Sequence, residues 1–178
     1  HDTDRFLLED PENLNVYKQA VTMLLTIPGI PQLYYGQELL MTGSTKKDFG
    51  YVRPDMPGGW NGDEISVFQE SGRTAMQQEA FNFMKKMLHW RKGNAAISKG
   101  KMKHFMPRSN VYVYERSYNG KSILVIMNGV NKEVDLDLTF YKEVIGDRTN
   151  SKNVLTDSNV PLGKKLHLQP KEVLVLEL

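Results

Sequence analysis

Apolar residues recur at helical spacing in two segments of the first half of the chain. They predict one amphipathic helix over residues 11–26 and a second over residues 74–92. Asp10 and Pro11 suit the start of the first helix, because an aspartate accepts hydrogen bonds from free amide groups and proline presets a helical φ. Between the two helices, the short apolar run at residues 30–35 predicts a buried strand.

Residues 37–73 show no sustained periodicity and are rich in proline and glycine. A loop of this length within a compact domain is usually functional or disordered. The aromatic residues Phe49, Tyr51 and Trp60 favour a functional loop.

The hydrophobic pattern changes to strand length after residue 98. Continuous apolar runs occupy residues 111–114, 122–127 and 173–176, and residues 134–140 alternate strictly between apolar and polar. The Asn-Gly pair at 119–120 is typical of a hairpin turn. Several short strands with turns between them predict a small antiparallel sandwich.

The chain therefore divides near residue 97, and its predicted fold class is α/β followed by all-β. In the first part, strands that alternate with helices indicate a parallel sheet. Loops at the carboxyl ends of such strands usually carry the active site. Two segments lie at predicted strand ends, residues 1–5 and residues 34–38.

These segments resemble motifs of glycoside hydrolase family 13, the α-amylase family. Residues 1–6, His-Asp-Thr-Asp-Arg-Phe, are similar to the His-Asp motif after barrel strand 7, without its usual preceding Asn. Residues 29–38 contain Gly-Ile-Pro and Tyr-Tyr-Gly-Gln-Glu, and are similar to the Gly-x-Pro…Tyr-Tyr-Gly-x-Glu segment of strand 8. Residues 53–60 resemble a substrate-side loop of neopullulanase-like and cyclomaltodextrinase-like members from gut bacteria of the Bacteroides type.

The resemblance implies a definite architecture. Residues 1–97 would be the last strand–helix units of a (β/α)8 TIM barrel with a long loop on the active-site side. Residues 98–178 would be a C-terminal β-sandwich. The barrel units alone would expose apolar surface, so we expect the missing N-terminal portion of the same enzyme to cover it.

The resemblance also implies a mechanism. Members are retaining glycosidases whose nucleophile and general acid follow barrel strands 4 and 5, upstream of this sequence, so we expect the chain alone to be inactive. Asp2 would be the carboxylate that stabilises the transition state, and His1 would hydrogen-bond the same sugar ring. The loop residues expected to contact the glucan further along are Tyr51, Arg53, Asp55 and Trp60.

Other interpretations stay open at this point. Asp4 and Arg5 are expected to pair or to cap the following helix, and Tyr34 and Tyr35 to be core or supporting residues. His89, His104 and His167 are expected to be isolated and to be ordinary surface or satisfied residues. The sandwich has no convergent chemistry and is expected to be either a non-catalytic carbohydrate-binding module or a structural one.

Composition limits the classes of ligand and partner that we expect this chain to bind. A formal net charge of +2 gives no argument for nucleic acid, and no apolar run approaches the roughly 20 residues that span a bilayer. The chain has no cysteine, which excludes disulfides and thiolate metal sites, and its four histidines fit no ligand spacing. We therefore predict an α-glucan oligosaccharide as ligand and no metal site within the chain. The resemblance implies a Ca²⁺ ion in the upstream part of many members, and a parent that is often homodimeric and periplasmic or secreted.

Overall fold

A computed structural model describes residues 1–46 and 48–178, and within them it contains four α-helices and eight β-strands. The helices are α1 (Asn15–Thr26), α2 (Ala75–Gly93), α3 (Ala95–Ser98) and α4 (Lys142–Ile145). The strands are β1 (Lys101–His104), β2 (Val111–Tyr118), β3 (Lys121–Asn128), β4 (Val134–Asp137), β5 (Asn150–Asn153), β6 (Asn159–Pro161), β7 (Lys165–Leu168) and β8 (Val173–Glu177).

The chain divides into two compact units. One comprises residues 1–14 and 31–85, and the other comprises residues 15–30 and 86–178. This partition differs from a single boundary near residue 97, because α1 and the end of α2 pack on the β-sandwich. The assignment of residues 1–97 to a barrel and 98–178 to a sandwich domain stays a prediction.

The sandwich consists of two antiparallel sheets. Six strands form the first sheet in the order β1-β2-β3-β8-β5-β6, and β4 pairs with β7 in the second. A buried apolar cluster fills the space between them. Its members are Val111, Val113, Leu124, Ile126, Leu136, Leu138, Tyr141, Val144, Ile145, Leu162, Leu166, Leu168, Leu174 and Leu176.

Helices cover the other face of the six-stranded sheet. Gln19 of α1 donates from Nε2 to the carbonyl of Asn128 at 2.7 Å, and the hydroxyls of Thr26 and Tyr114 lie 2.5 Å apart in a buried hydrogen bond. Because both faces of β3 are covered, its residues 123–127 are all buried. A strand buried on both faces reads as a continuous apolar run, and this explains the pattern in the sequence.

The predicted antiparallel sandwich is confirmed. The apolar runs at 111–114, 122–127 and 173–176 lie in β2, β3 and β8. Asn119 and Gly120 join β2 to β3 with φ values of 48° and 78°, the left-handed conformation that a two-residue hairpin turn of this type requires at both positions.

The predicted strand at residues 134–140 is wrong in its second half. Strand β4 ends at Asp137, and a short 3-10 helix, Leu138–Tyr141, follows. The carboxylate of Asp137 accepts hydrogen bonds from the amide and the hydroxyl of Thr139, at 2.9 and 2.6 Å. An aspartate that caps a helical turn in this way stops the strand, although the alternation of apolar residues continues.

The predicted strand at residues 30–35 is also wrong. This segment is not a strand, and within the described residues no strand pairs with it. Ile30 is 98% exposed rather than buried. A short apolar run predicts burial, but a strand also needs a neighbour that completes its backbone hydrogen bonds. The described residues accordingly contain no closed barrel.

The bounds of α2 agree with the sequence prediction better than those of α1 do. Helix α2 agrees with the prediction to within one residue at each end. Helix α1 begins at Asn15 rather than at Pro11, and the segment before it forms bends in which Leu14 is buried. The side-chain amide of Asn15 donates to the carbonyl of Pro170 at 3.3 Å, which anchors the observed start of the helix on the sandwich.

Arg116 of β2 lies beneath the helices with only 2% of its surface exposed. Its guanidinium donates to the carbonyls of Thr26, Ile97 and Gly100 at 2.6, 2.8 and 2.8 Å, and Nε lies 3.4 Å from the carbonyl of Lys101. Burial lowers the pKa of Arg116. The side chain therefore joins the end of α1, the end of α3 and the start of β1.

Arg91 of α2 completes the end of α1. It donates to the carbonyls of Leu25 and Gly29 at 2.5 and 3.1 Å. The last carbonyls of a helix have no partners within the helix and carry partial negative charge. Arg91 and Arg116 donate hydrogen bonds to these carbonyls, and their positive charges lie at the negative end of the helix dipole.

We expect Arg116→Leu to destabilise the sandwich unit by about 3 kcal/mol, because it leaves several buried carbonyls without donors. Urea unfolding followed by circular dichroism measures the change. The matched control is Arg108→Leu, which removes an exposed guanidinium stacked 3.8 Å from the Phe140 ring centroid. The control should cost about 1 kcal/mol or less. Equal losses in the two variants would contradict the structural role of Arg116.

His167 forms a polar cluster on the outer surface of the small sheet. It lies opposite Asp135 in the β4–β7 pair, with Nδ1 2.9 Å from the carboxylate of Asp135 and Nε2 3.6 Å from that of Glu133. The hydrogen bond with Asp135 raises the pKa of His167, and the carboxylates of Glu133 and Glu172 add to the shift. The same hydrogen bond lowers the pKa of Asp135. The expectation of an isolated His167 is wrong.

We expect the thermal stability contributed by His167 to disappear as the pH rises. A histidine whose pKa is raised by folding stabilises the protein fully below its unfolded value of about 6.5, and this contribution is lost as the pH passes through the folded value. The difference in Tm between the wild type and His167→Gln should therefore be largest at about pH 5.5. It should shrink as the pH rises. His89→Gln, at an exposed position on α2, is the control. A difference that grows with pH would refute the assignment.

Candidate functional site

His1, Asp2 and Arg53 come together in an exposed group. Arg53 Nη2 donates to Asp2 Oδ1 at 2.6 Å, and Arg53 Nε donates to the carbonyl of His1 at 3.0 Å. The imidazole Nε2 of His1 lies 3.2 Å from the same Oδ1. Three of the predicted site residues are thus adjacent in space, although Arg53 lies about fifty positions after His1 and Asp2 in the sequence.

Arg5 holds the segments that surround this group. It is 5% exposed, and it donates to the carbonyls of Val52 and Tyr35 at 3.0 and 2.7 Å. Its guanidinium also lies over the rings of Tyr34 and Tyr35, at 4.5 and 4.8 Å from their centroids. The expectation that Arg5 pairs with or caps the following helix is wrong, because the rigid fork of donors bonds carbonyls of two distant segments instead.

Asp4 fixes a neighbouring turn instead of capping a helix. Its carboxylate accepts from the amide and the hydroxyl of Thr45 at 2.5 and 2.8 Å. These bonds lower the pKa of Asp4, and the bond from the backbone amide has the larger effect.

At Gly43 the backbone passes so near Tyr51 that an added Cβ would lie 2.3 Å from the Tyr51 carbonyl. Only glycine allows this close approach.

Tyr34 and Tyr35 lie beside Arg5, and Tyr35 is 39% exposed and so is not a core residue. Their rings meet edge to face at 4.6 Å between centroids. Tyr35 donates its hydroxyl to the carbonyl of Pro54 at 2.8 Å, next to Arg53. Desolvation, followed by the neighbouring Tyr34, raises the pKa of the Tyr35 hydroxyl, which keeps it a neutral donor.

Trp60 stands on a loop that is closed by Asp63. The carboxylate of Asp63 accepts from the amides of Gly58 and Trp60 at 2.6 and 3.1 Å. A Cβ at Gly58 would lie 2.4 Å from Ser66, so the loop closes tightly at this glycine. The indole itself is 68% exposed. A defined loop that presents an open aromatic face is a suitable surface for a sugar ring.

The other predicted site residues are Tyr51, Asp55 and Trp60. Tyr51 and Asp55 are exposed, and neither Asp55 nor Trp60 forms a hydrogen bond with His1, Asp2 or Arg53 within the described residues. Their contacts with a glucan stay predictions, as do the roles of His1 and Asp2.

The sequence reasoning missed the supporting residues Arg5 and Asp63. The Asn-Gly-Asp stretch at 61–63 signals a turn. The observed bonds of Asp63, however, run to the amides of Gly58 and Trp60 before it, whereas the usual aspartate turn uses an amide two residues after the aspartate. Arg5 offered no such signal, since the partners that bury it are distant in the sequence.

Across residues 1–46 and 48–178, no three His, Asp or Glu side chains converge in a way that could hold a metal ion. None of the helices in the same part of the chain has the length and apolar character needed to cross a membrane.

Comparison with known proteins supports the resemblance. Residues 102–177 match the family described as the cyclo-malto-dextrinase C-terminal domain. The chain is 28% identical to a cyclomaltodextrinase of Thermoanaerobacter pseudethanolicus over 99% of its own length, which is 27% of that protein. It is 32% identical to a cyclomaltodextrin glucanotransferase of a Bacillus species over 89% of its length and 20% of that protein. The chain thus spans about a quarter or less of these relatives.

Solved structures agree on the fold. The α-amylase of Geobacillus thermoleovorans, solved in complex with acarbose, superposes with a TM-score of 0.71 at 22% identity. The alignment covers 99% of this chain and 37% of that one. The chain is therefore similar along its length to part of these longer proteins, and its residues 102–177 match the cyclo-malto-dextrinase C-terminal domain family.

Proposed function

We propose that the chain is the C-terminal part of a retaining glycoside hydrolase that acts on α-glucans such as starch, pullulan, maltooligosaccharides or cyclodextrins. The observation that supports this proposal is the exposed group in which Arg53 contacts His1 and Asp2, the two residues that resemble the family's His-Asp motif. The names of the relatives, cyclomaltodextrinase and cyclomaltodextrin glucanotransferase, support the substrate class.

Asp2 would act on the sugar ring at the reacting carbon. Its carboxylate accepts hydrogen bonds from ring hydroxyls, and such bonds strengthen as positive charge develops in the oxocarbenium-like transition state. Binding that is stronger in the transition state than in the ground state raises kcat. His1, adjacent to the same carboxylate, would donate to the same ring.

The nucleophile and the general acid would belong to the portion of the longer protein that this chain does not match. The chain spans 27% of the cyclomaltodextrinase, and this leaves ample length for the missing barrel strands. That portion would also be the partner of this chain. The Ca²⁺ ion in the upstream part and the homodimeric parent implied by the resemblance stay predictions.

We expect the purified chain to release no reducing sugar from maltoheptaose, pullulan or cyclodextrin. In a longer protein that restores the upstream portion, hydrolysis should appear, and Asp2→Asn should lower kcat by about 100-fold or more, since several kcal/mol of transition-state stabilisation are lost. Asp147→Asn, at an exposed position on the sandwich, should leave kcat unchanged. Turnover by the 178-residue chain would mean that it already contains the catalytic carboxylates.

A second candidate function is carbohydrate binding without catalysis. Trp60 is exposed on the loop that Asp63 closes. Beside this loop, residues 63–66, 69 and 71–74 line an open cavity of about 500 Å³. Asp63 lines this cavity and also bonds the amide of Trp60, so the polar groups of the cavity together with the exposed indole could hold a glucan without the upstream portion.

Tryptophan fluorescence separates binding from a purely structural role. If the chain binds glucan, maltoheptaose should cause a saturable change that is lost in Trp60→Ala. Trp90→Phe is the control, because Trp90 donates to the carboxylate of Glu177 in the sandwich unit and should not report the ligand. A structural module would give no saturable change in any of the three proteins.

A further inference from the structure

We infer that Arg53 is a positioning residue for Asp2, and that it engages Oδ1 of this carboxylate so that Oδ2 is left to accept hydroxyls of the substrate. The inference rests on the proposed function of Asp2. It changes the role expected for Arg53, which the sequence placed among the direct ligands of the glucan.

One guanidinium contacts two consecutive residues of the motif. Nη2 donates to the Asp2 carboxylate at 2.6 Å, and Nε donates to the main-chain carbonyl of His1 at 3.0 Å. The first bond fixes the side chain of Asp2, and the second fixes the backbone from which that side chain extends. A planar fork with donors at set angles can do both, whereas a lysine ammonium is a single point of attachment.

All the contacts of Asp2 converge on one oxygen. His1 Nε2 lies 3.2 Å from Oδ1, the atom that also accepts from Arg53. Within the described residues, no hydrogen bond reaches Oδ2. The side chain of Asp2 remains 68% exposed, so a sugar can approach the second oxygen.

Arg53 is itself held in place. It follows the short 3-10 helix Phe49–Val52, whose first turn is capped by Asp48. The guanidinium lies 4.9 Å from the ring centroid of Phe49. Val52, the residue before Arg53, is fully buried, and its carbonyl accepts from Arg5. The positioning group is therefore mounted on backbone that the buried Arg5 fixes.

Because the Arg53–Asp2 ion pair is exposed, its effect on the orientation of Asp2 can be measured separately from its effect on folding stability. Ion pairs between exposed side chains contribute little to folding. The Arg53 and Asp2 side chains are 43% and 68% exposed. Loss of the pair should therefore leave the fold intact and release the carboxylate to rotate. Misplacement of a catalytic group lowers the rate even where substrate binding is retained.

NMR of the 178-residue chain tests the pairing without any turnover. In a spectrum of arginine side chains, the Arg53 Nε–H signal should shift as the Asp2 carboxylate is protonated in an acid titration. In Asp2→Asn this shift should be absent, while Arg53 remains bonded to the carbonyl of His1. An Arg53 signal that behaves identically in the two proteins would overturn the inference.

Kinetics of the longer enzyme proposed above test the consequence. Arg53→Gln should lower kcat by about 10-fold to 100-fold, with KM changed by less than about 2-fold. Arg53→Lys should recover only part of the loss, and Arg108→Gln on the sandwich should have no effect. A raised KM with an unchanged kcat would make Arg53 a direct sugar ligand and overturn the inference. If the wild-type enzyme does not act on α-glucans, the proposed function fails, whereas the NMR result still decides the pairing.

Discussion

The guanidinium of Arg116 bonds the ends of two helices and the start of an edge strand at one buried point. Among residues 1–46 and 48–178, its hydrogen-bond partners are main-chain carbonyls, and none is a carboxylate. A buried cation is costly unless its donors are satisfied. Here the carbonyls at the end of α1 provide both hydrogen-bond acceptors and the negative end of the helix dipole. The packing of α1 and α3 on the sheet depends on this arrangement.

Arg5 plays the same part in the other unit. It donates to the carbonyls of Val52 and Tyr35 and stacks on the rings of Tyr34 and Tyr35. Val52 directly precedes Arg53, so this bond also fixes the backbone at Arg53. The candidate site is thus exposed but is carried by a buried side chain. An open surface that must hold a carboxylate in one orientation needs such a support, because the exposed Arg53 can fix Asp2 only if its own backbone is held in place.

The sequence predicts the sandwich well because local pattern and tertiary burial coincide there. Strand β3 is apolar from residue 123 to residue 127 because both its faces are covered there, and the turn after Tyr118 follows from Asn-Gly chemistry. The apolar run at 30–35 misleads, because composition cannot show whether a neighbouring strand is present. At Asp137 a side-chain cap overrides an alternation that continues past it.

The sequence proposes candidates for the site but not their geometry. A motif placed His1, Asp2 and Arg53 among the candidates. That Arg53 contacts Asp2 follows from how distant segments fold together, and no spacing in the sequence encodes this contact. For the same reason the burial of Arg5 was missed, and the surface roles of Tyr51, Asp55 and Trp60 stay predictions.

The six-stranded sheet ends in β1 on one side and in β6 on the other, and both edges resist extension. Strand β1 carries Lys101 and Lys103, and β6 ends in Pro161, which has no amide hydrogen to donate. Charged side chains and proline at a sheet edge discourage pairing with another chain. A homodimer of a protein that contains this sandwich would therefore associate through side chains, and not by joining its sheets into a continuous one.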